Sequence, residues 1–323
     1  MQILVTGGAG YIGSVTSELL LDEGHAVTVF DNLELGHRRA VDPRAELIEG
    51  DLRDAAAIDA AIARTRPDAV MHFAAYALVG ESMAQPERYF GNNLQGGLNL
   101  AAAMLKHGVK RIVFSSTCAT YGEPARVPIT EAEPQRPTNP YGESKLMFER
   151  VLDWYRAVHG LYPVYLRYFN ACGATPPLGE DHDPETHLIP IVLQVALGRR
   201  ESVQIHGDDY PTADGTCVRD YIHVLDLARA HLLALDAPEP GAYNLGNGDG
   251  YSVREVIAAA RDVTGHSIPA RIGPRRPGDP PCLIAAADKA RDLLGWTPRI
   301  PGLHDIIQSA WDWHRTHADG YGA

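Results

Sequence analysis

The sequence predicts an α/β fold, with a doubly wound parallel sheet of the Rossmann type and a smaller C-terminal α/β lobe that binds substrate. Through the first half of the 323 residues, short β-branched runs alternate with longer amphipathic stretches. A glycine-rich turn joins the first run to the first amphipathic stretch. After about residue 170 the elements become shorter and less regular. The alternation indicates a parallel sheet, and the later change of pattern indicates a second lobe.

The predicted strands of the first lobe are short apolar runs, as expected for strands that are covered on both faces. They are 2–6, 26–30, 69–73, 111–115 and 163–168, and a third strand in chain order ends at Asp51. The amphipathic stretches between them predict helices over 12–23, 54–65, 92–107 and 142–159.

The second half opens with residues 174–187, which are rich in Pro, Gly and acidic side chains and predict a long loop. Helices are predicted near 224–236, 252–264, 288–294 and 303–316. We therefore expect a dinucleotide-binding domain over 1–172 and a second lobe formed mainly by 173–323. The segment near 219–245 is regular enough to pack back against the first domain.

Composition and charge exclude several classes of partner. The net charge is −12 and the isoelectric point about 5.6, so we expect no nucleic acid partner.

No apolar run is long enough for a signal peptide or a membrane span, and we expect a soluble, cytoplasmic protein without a membrane partner. The four cysteines are far apart and form no C-x-x-C pair, which predicts neither disulfides nor a zinc site; we expect no metal.

The first turn has the pattern of a dinucleotide site. Gly8, Gly10 and Gly13 fit G-x-G-x-x-G, and Gly7 adds the register G-x-x-G-x-x-G. The first glycines permit a tight turn, Gly10 admits the pyrophosphate to the backbone, and Gly13 allows the helix to pack on the strand. Because this motif follows a strand and opens a helix, it predicts bound dinucleotide.

Acidic residues at the ends of two strands support that site. Asp31 lies eighteen positions after Gly13, where a carboxylate accepts hydrogen bonds from the adenosine ribose and repels a 2′-phosphate, so NAD is favoured over NADP. The alternative is a helix cap or a turn residue. Asp51 either contacts adenine or is a helix N-cap, and both interpretations fit the pattern.

A tyrosine and a lysine in NPYGESK are the candidate acid–base pair. Tyr141 and Lys145 lie four positions apart, which places them on one helix face. An ammonium group and a nicotinamide ring nearby would lower the pKa of the phenol, so that Tyr141 takes a proton from a substrate hydroxyl. Lys145 would also hold the nicotinamide ribose. The alternative is an ordinary helix surface.

Thr117 is the third candidate catalytic residue. It lies just past the C-terminal end of the strand 111–115, where doubly wound sheets bind ligands. Its hydroxyl would hydrogen-bond the same substrate oxygen as Tyr141. The alternative is a threonine that caps a loop.

Several motifs occur in the order expected of the extended short-chain dehydrogenase/reductase family, which the chain resembles from residue 2 to about residue 316. Within that family it is similar to the UDP-hexose 4-epimerases. The motifs are TGGAGYIGS, HFAAYALVGES, FSSTCATYGE, NPYGESK, LRYFNACGA, DGTCVRDYIHV and RRPGDP. GEDHDPETHLIP together with DGTCVRDYIHV is more specific to the epimerases than the glycine and Y-x-x-x-K motifs are.

The resemblance implies reversible inversion at C4 of a UDP-hexose through a 4-keto sugar, with retained NAD, Tyr141 as the base and often a homodimer. Helices 86–107 and 142–159 are the candidates for the dimer contact. The residues implied to bind NAD, besides Gly7, Gly10, Gly13, Tyr141 and Lys145, are Tyr11, Ile12, Asp31, Asn32, Asp51, Leu52, Phe73, Ala74, Ala75, Asn92 and Phe169. Those implied to bind the UDP-sugar are Thr117, Asn170, His187, Leu188, Arg219, Arg276, Asp279 and Leu283. Arginines clamp phosphate oxygens well, and Asp220 and Asp279 lie close enough in sequence to orient Arg219 and Arg276.

Three positions depart from the family's pattern. Ala77 replaces a lysine that contacts the pyrophosphate, so NAD retention is expected to be weaker. His187 stands where some members have Asn. Leu283 stands where a Tyr excludes N-acetyl sugars and a Cys admits them, which leaves acceptance of UDP-GlcNAc open.

Related activities remain as alternatives. A 4,6-dehydratase would have an Asp-Glu pair directly after the Thr, and here those positions are Cys118 and Ala119, which cannot serve as acid and base. UDP-GlcNAc, UDP-glucuronate or UDP-pentose 4-epimerases differ only in the pocket. A net sugar-nucleotide dehydrogenase fits the same spacing. A non-catalytic NAD-sensing protein would be expected to lose Tyr141 or Lys145.

Overall fold

A computed structural model gives the fold of residues 1–276 and 278–322. Pro277, part of the RRPGDP motif, lies outside the described residues. The strands are β1 (Gln2–Thr6), β2 (Ala26–Asp31), β3 (Glu46–Glu49), β4 (Ala69–His72), β5 (Arg111–Thr117), β6 (Tyr162–Tyr168), β7 (Asn170–Cys172), β8 (Val203–His206), β9 (Val218–Arg219), β10 (Tyr221–His223), β11 (Gly241–Leu245), β12 (Tyr251–Ser252), β13 (Ala270–Gly273) and β14 (Cys282–Leu283).

The helices lie between and after these strands. They are α1 (Tyr11–Asp22), α2 (Ala55–Thr65), α3 (Val79–Ala84), α4 (Pro86–Tyr89), α5 (Gly96–Lys106), α6 (Pro140–His159), α7 (Leu188–Ala196), α8 (Val224–Ala234), α9 (Val253–Thr264), α10 (Asp288–Leu294) and α11 (Leu303–Thr316). Short 3₁₀ turns cover Arg38–Ala40 and Cys118–Thr120, and a π-helical turn covers Phe90–Gln95.

Within the described residues, the central sheet has seven strands in the order β11-β6-β5-β4-β1-β2-β3, and every neighbouring pair is parallel. From β1 the chain passes to β2 and β3 on one side and then crosses to β4 on the other. This confirms the predicted doubly wound α/β fold. Ligands of such sheets bind at the carboxyl ends of the two strands where the order reverses, here β1 and β4.

Helices cover both faces of this sheet, because alternate strand residues point to opposite sides. Leu4 of β1 joins a cluster with α2, α5 and α6, in which Ile62, Met104 and Phe148 are fully buried. Ile3 and Val5 join the opposite cluster with residues of α1, α8 and α10. The sheet therefore lies between two apolar layers, which explains why its strands lack hydrophobic–polar alternation.

A third cluster forms the core of the second lobe. It brings together α7, α9 and α11, with Val192, Ile257 and Ile306 almost wholly buried. Two small sheets accompany it, β12-β9-β14 and β13-β8. The β9 strand of the first of these carries Arg219, and β14 carries Leu283, so pairing of the two strands brings these residues side by side.

Most predicted helices and strands match the observed ones, and two stretches of the chain differ from the prediction. The stretch 92–107 is not one regular helix, because a π-helical turn precedes α5. Helix α7 was not predicted, since a short and nearly continuous apolar run such as LIPIVLQVA is difficult to distinguish from a buried strand. The segment near 219–245 contains α8, which packs against α1, and β11, which pairs with β6 at the edge of the central sheet.

Candidate active site

Glycines at the turn between β1 and α1 allow close contacts that no side chain would permit. Gly7 has a φ of +76°, and a Cβ on it would meet the backbone of Ala74. A Cβ on Gly13 would meet the carbonyl oxygen of Gly7. Gly10 is the N-cap of α1 and offers no side-chain hydrogen bond to the first turn. The first-turn N–H groups of α1 are thus not shielded by a cap, an arrangement that suits a pyrophosphate.

Asp31 lies at the end of β2 with only 8% of its surface exposed. One carboxylate oxygen accepts from the Ala9 N–H at 3.0 Å, and the other accepts from the Leu33 N–H at 2.8 Å. Burial raises the pKa of this carboxyl, and the two backbone hydrogen bonds oppose the change. Each oxygen keeps a second lone pair, so the carboxylate can still accept a hydroxyl donor.

Asp51 is not the N-cap of α2, because Asp54 occupies that position and accepts from two first-turn N–H groups. The helix-cap interpretation of Asp51 is therefore wrong. Its carboxylate accepts from Arg53 Nε at 2.9 Å and from Asn32 Nδ2 at 3.0 Å. Hydrogen bonding to Arg53 holds the pKa of Asp51 well below its usual range. The contact to adenine stays a prediction.

The other residues predicted to bind NAD lie in segments that follow the carboxyl ends of strands of the central sheet. Phe73 and Ala74 directly follow β4, and both backbone N–H groups donate to the Thr6 carbonyl at 2.9 and 3.1 Å. Tyr11 donates its hydroxyl to the Gly173 carbonyl at 2.5 Å. The remaining five differ in burial: Ile12, Ala75 and Asn92 are half-buried, whereas Phe169 is buried and Leu52 is buried in the core beneath α5.

The candidate acid–base pair, Tyr141 and Lys145, lies in the first turns of α6. Asn139 caps this helix and accepts from the Gly142 N–H at 2.8 Å, and Pro140 fits its first turn. Tyr141 and Lys145 are both buried, at 8% and 3% exposure. Lys145 Nζ donates to the Ser115 carbonyl of β5 at 2.8 Å. The pair is therefore enclosed between α6 and the end of β5, which excludes the ordinary-surface interpretation.

The pKa of Tyr141 differs from the expectation that Lys145 lowers it. Burial raises the pKa of the phenol above its ordinary value, and the Thr117 hydroxyl, rather than Lys145, acts against this rise through hydrogen bonding. Burial also lowers the pKa of Lys145 to about 7, which favours the neutral amine. The enclosure that protects the pair from water therefore disfavours the charged form of each partner.

Thr117 ends β5 and is buried at 6% exposure. Its hydroxyl accepts from the Ala119 N–H at 3.1 Å, so it does cap the following 3₁₀ turn. The same hydroxyl lies close enough to Tyr141 to influence its pKa. The capping alternative and the catalytic prediction are thus compatible, because a hydroxyl has both acceptor and donor capacity.

The predicted phosphate-binding arginines pair differently from expectation. Arg219 forms a close ion pair with Asp279, sixty residues later. Asp220 instead turns inward and accepts from the backbone N–H groups of Asn247, Gly248 and Ala285. Its expected role of orienting Arg219 is therefore wrong. Arg276 and Asp279 line a cleft of about 360 Å³.

Leu283, one of the residues predicted to contact the sugar, belongs to apolar surroundings. Leu283 packs in a small cluster with Cys118 and the buried Phe169. Cys118 directly follows Thr117, the candidate catalytic residue at the end of β5. Asn170 follows Phe169 as the first residue of β7, and its side-chain amide donates to the Asp220 carbonyl at 3.0 Å.

His187 and Leu188 mark the start of α7, of which His187 is the N-cap. The His187 ring does not cap the helix but turns its Nδ1 toward Glu180 and Glu185, at 2.8 and 3.0 Å. Leu188 packs at the edge of the second-lobe core. Contact of either residue with substrate stays a prediction.

Known proteins resemble this chain over its whole length. The profile of the NAD dependent epimerase/dehydratase family matches residues 3–246. The chain belongs to the NAD-dependent epimerase/dehydratase family. It is 54% identical over 328 residues to the UDP-glucose 4-epimerase of Lacticaseibacillus casei, covering 100% of this chain and 99% of that protein.

Solved structures agree with this family membership. A crystal structure of UDP-glucose 4-epimerase is 50% identical and superposes with a TM-score of 0.97, covering 100% of both chains. That of UDP-glucose 4-epimerase from Bifidobacterium longum in complex with NAD⁺ and UDP is 43% identical, has a TM-score of 0.94, and covers 99% of this chain and 100% of that one. NAD is the cofactor of this epimerase/dehydratase family, and the uncapped α1 and buried Asp31 fit it.

One structural pair in this epimerase/dehydratase chain was not predicted from sequence. Arg167 of β6 and Glu149 of α6 form a buried ion pair, with side-chain exposures of 7% and 3%. Glu149 also accepts from Ser116 at 2.5 Å, next to Thr117. The pair thus fixes α6 against the ends of β5 and β6. Both charges lie in apolar runs, a pattern that indicates a buried pair but does not identify the partners.

Asn93 is a second residue that sequence reasoning missed. The π-helical turn directs it inward, where it bonds both the N–H and the carbonyl of Tyr76 and donates to Ser144. Asn93 therefore fastens the loop after β4 to α6. A single extra residue in a helical turn leaves no clear mark in hydrophobic periodicity.

Proposed function

We propose that this protein catalyses the reversible, NAD-dependent epimerisation at C4 of a UDP-hexose, and so interconverts UDP-glucose and UDP-galactose. The observation that carries the proposal is the enclosure of Tyr141, Lys145 and Thr117 at the carboxyl end of β5. The strand β5 neighbours β4, at whose carboxyl end the dinucleotide is expected to bind, so these three side chains would lie close to the cofactor. Full-length relatives at about half identity are named UDP-glucose 4-epimerase, which supports the same reaction.

In this reaction Tyr141 takes the proton of the C4 hydroxyl as the carbon is oxidised, and it returns the proton after the 4-keto sugar has turned over. Bound NAD supplies the acceptor and later the donor of the hydride. Thr117 holds the reacting oxygen by a hydrogen bond, and Lys145 contributes an amine one turn away. Burial raises the pKa of Tyr141 and so favours the protonated phenol; the positive nicotinamide ring of bound NAD would lower this pKa again and allow the phenolate to accept the proton.

The charged residues of the second lobe are proposed to bind the UDP group. Arg219 and Arg276 are the phosphate ligands, and Asp279 orients Arg219 through their ion pair. Asn170, His187, Leu188 and Leu283 complete the proposed sugar and nucleotide contacts. Cys118 and Ala119 after Thr117 supply no acid and base for a dehydratase.

The proposal is tested by incubating the purified protein with UDP-galactose and no added NAD. Chromatography should then detect UDP-glucose, because a retained cofactor is regenerated in each cycle. If no conversion occurs even after NAD is added, the proposed activity is wrong. Accumulation of NADH in step with product would indicate a net dehydrogenase instead.

We also propose that the protein is a cytoplasmic homodimer. Residues 1–172, with the returning segments near 219–245, would bind NAD, and residues 173–323 would mainly bind the UDP-sugar. All four cysteines of the described chain are free thiols, and a reducing compartment such as the cytoplasm keeps thiols in this form. No helix within residues 1–276 and 278–322 is long and apolar enough to cross a membrane. Trp154 and Val158 of α6 are 70% and 67% exposed, which suits a contact between copies. Sedimentation measures the oligomeric state.

A further inference from the structure

The loop that leads into α7 gathers two glutamates and two histidines in one place. Glu180, His182, Glu185 and His187 each direct one possible ligand atom toward a common point, and these atoms all lie within 4.8 Å of one another. None of the four has a role in the proton transfer proposed above. His187 is also a proposed substrate contact, but the other three side chains are not, so their grouping around it needs a further explanation.

Both glutamates of this cluster are withdrawn from water. Glu180 is 6% exposed and Glu185 is 8% exposed. The ion pairs that these two carboxylates form within the described chain are with His182 and His187, not with lysine or arginine. Two buried negative charges are costly unless cations or metal ions compensate them. Protons on the two imidazoles or a bound metal ion would supply that compensation.

His182 gives a second and independent indication of a ligand. Its Nδ1 is buried, yet it has no hydrogen-bond partner among the described residues. It faces Glu180 Oε1 at 3.3 Å and Glu185 Oε2 at 3.6 Å, without the geometry of a hydrogen bond. When deprotonated, this nitrogen would direct its lone pair into the space between the two carboxylates, as a metal-binding imidazole does.

We propose that Glu180, His182, Glu185 and His187 bind one divalent transition metal ion, with zinc as the ion that fits best. Tetrahedral zinc with bonds of about 2.0–2.1 Å places its ligand atoms about 3.3–3.4 Å apart. The two histidine Nδ1 atoms lie 2.8 and 3.3 Å from Glu180 Oε1. Their separations from Glu185 are 3.0 Å to Oε1 for His187 and 3.6 Å to Oε2 for His182, so Glu185 would contribute one of its two oxygens. Two imidazoles and two carboxylates suit zinc better than magnesium or calcium, which prefer oxygen ligands alone.

Four protein ligands close the coordination sphere, so the site is structural rather than catalytic. The loop it would fix is already in contact with several parts of the molecule. The Asp181 carbonyl lies 3.0 Å from His37 Nε2, its carboxylate accepts from the Tyr321 N–H at 2.9 Å, and the His182 ring lies edge-on to Tyr11 at 6.5 Å. Bound metal would therefore brace the connection between the cofactor crevice and α7.

The test uses the full-length protein with its cofactor, loaded with zinc chloride, desalted and analysed for metal by mass spectrometry. The unmutated protein should retain about one zinc per chain and unfold at a higher temperature than before loading. His182→Gln and Glu185→Gln should bind zinc at least about tenfold more weakly and lose the thermal shift. His304→Gln is the matched control, because His304 is an exposed histidine beside Asp262.

Retention of no zinc by the unmutated protein would overturn the proposal, as would equal retention by the two cluster variants. If those variants fail to fold, cobalt bound to the unmutated protein decides the matter. A tetrahedral site gives intense visible absorption, whereas the weak spectrum of hydrated cobalt would contradict the site. These readouts do not involve turnover, so they are independent of whether the epimerase proposal holds.

Discussion

Lys145 of α6 donates to the carbonyl oxygen of Ser115 at 2.8 Å, and this hydrogen bond joins α6 to β5 two residues before Thr117. It explains why the amine lies beside the sheet rather than in solvent. It also places Tyr141, one turn earlier on the helix, next to the end of the same strand. The geometry of the proton-transfer site thus depends on one helix docked against one strand end.

Replacement of Tyr141 by phenylalanine should remove the proton acceptor while leaving the fold intact. We expect Tyr141→Phe to lower kcat by about 10²-fold or more with little change in KM, because the lost interaction belongs to the reacting step. Steady-state conversion of UDP-galactose measures both constants. Tyr165→Phe deletes an equally buried hydroxyl, bonded to Asp153, and should behave like the unmutated enzyme. Equal losses in the two variants would contradict the role of Tyr141.

Asp31 should determine the choice between NAD and NADP. Asp31→Asn keeps the shape of the side chain but removes the charge that repels a 2′-phosphate, so the preference for NAD should fall about tenfold or more. Calorimetric titration of the cofactor-stripped protein with each dinucleotide measures this ratio. Asp54→Asn, at the cap of α2, removes the same charge away from the ribose position and serves as the control. An unchanged ratio in Asp31→Asn would count against the assignment.

Leu283 should control which sugars the pocket accepts. It packs against the same small cluster as Cys118, the residue after Thr117, and we expect a bulkier side chain there to crowd the substituents of the sugar. Leu283→Tyr should lower turnover of UDP-GalNAc relative to UDP-galactose by about tenfold or more. Leu283→Met, which is similar in volume, should leave the ratio nearly unchanged. If the tyrosine variant also leaves it unchanged, Leu283 is not a gate.

The buried His231 should make stability depend on pH. Burial lowers its pKa to about 4, and its ring packs on Phe73 at 4.6 Å. The unfolded chain binds this proton below about pH 6.5, whereas the folded chain binds it only below about pH 4. Between these values the unfolded state holds more protons, so acidification lowers the free energy of unfolding.

Since glutamine does not titrate, His231→Gln removes this dependence. From pH 7 to pH 5 the unmutated protein should lose about 2 kcal/mol more stability than the variant. Urea unfolding at both pH values, with saturating NAD, gives the comparison. His304→Gln, an exposed histidine, should follow the unmutated protein. Parallel losses in His231→Gln and the unmutated protein would refute the assignment.

Features that depend on residues close together in the chain were predictable. The glycine turn, Asp31 at its strand end, and the cap Asn139 with Tyr141 and Lys145 all follow from local spacing. The order of the first strands follows from the rules for alternating strands and helices. These features are specified by backbone conformation and by neighbours within one or two turns.

Contacts between distant residues could not be predicted in this way. The pairing of Arg219 with Asp279 depends on how β9 and β14 meet, and that of Arg167 with Glu149 depends on how α6 docks. The spacing of the cysteines predicts no metal site, but it carries no information about histidines. The fold brings His182 together with three other possible ligands that are close to it in sequence. The raised pKa of Tyr141 also depends on burial, which the spacing of tyrosine and lysine does not reveal.

The central claim is that C4 is oxidised and then reduced by the same retained hydride while Tyr141 exchanges only the hydroxyl proton. The most direct measurement starts from UDP-galactose carrying deuterium at C4, in ordinary water. Mass and NMR analysis of the UDP-glucose formed should find the deuterium still on C4. Loss of the label to solvent, or UDP-glucose with hydrogen at C4, would contradict the account.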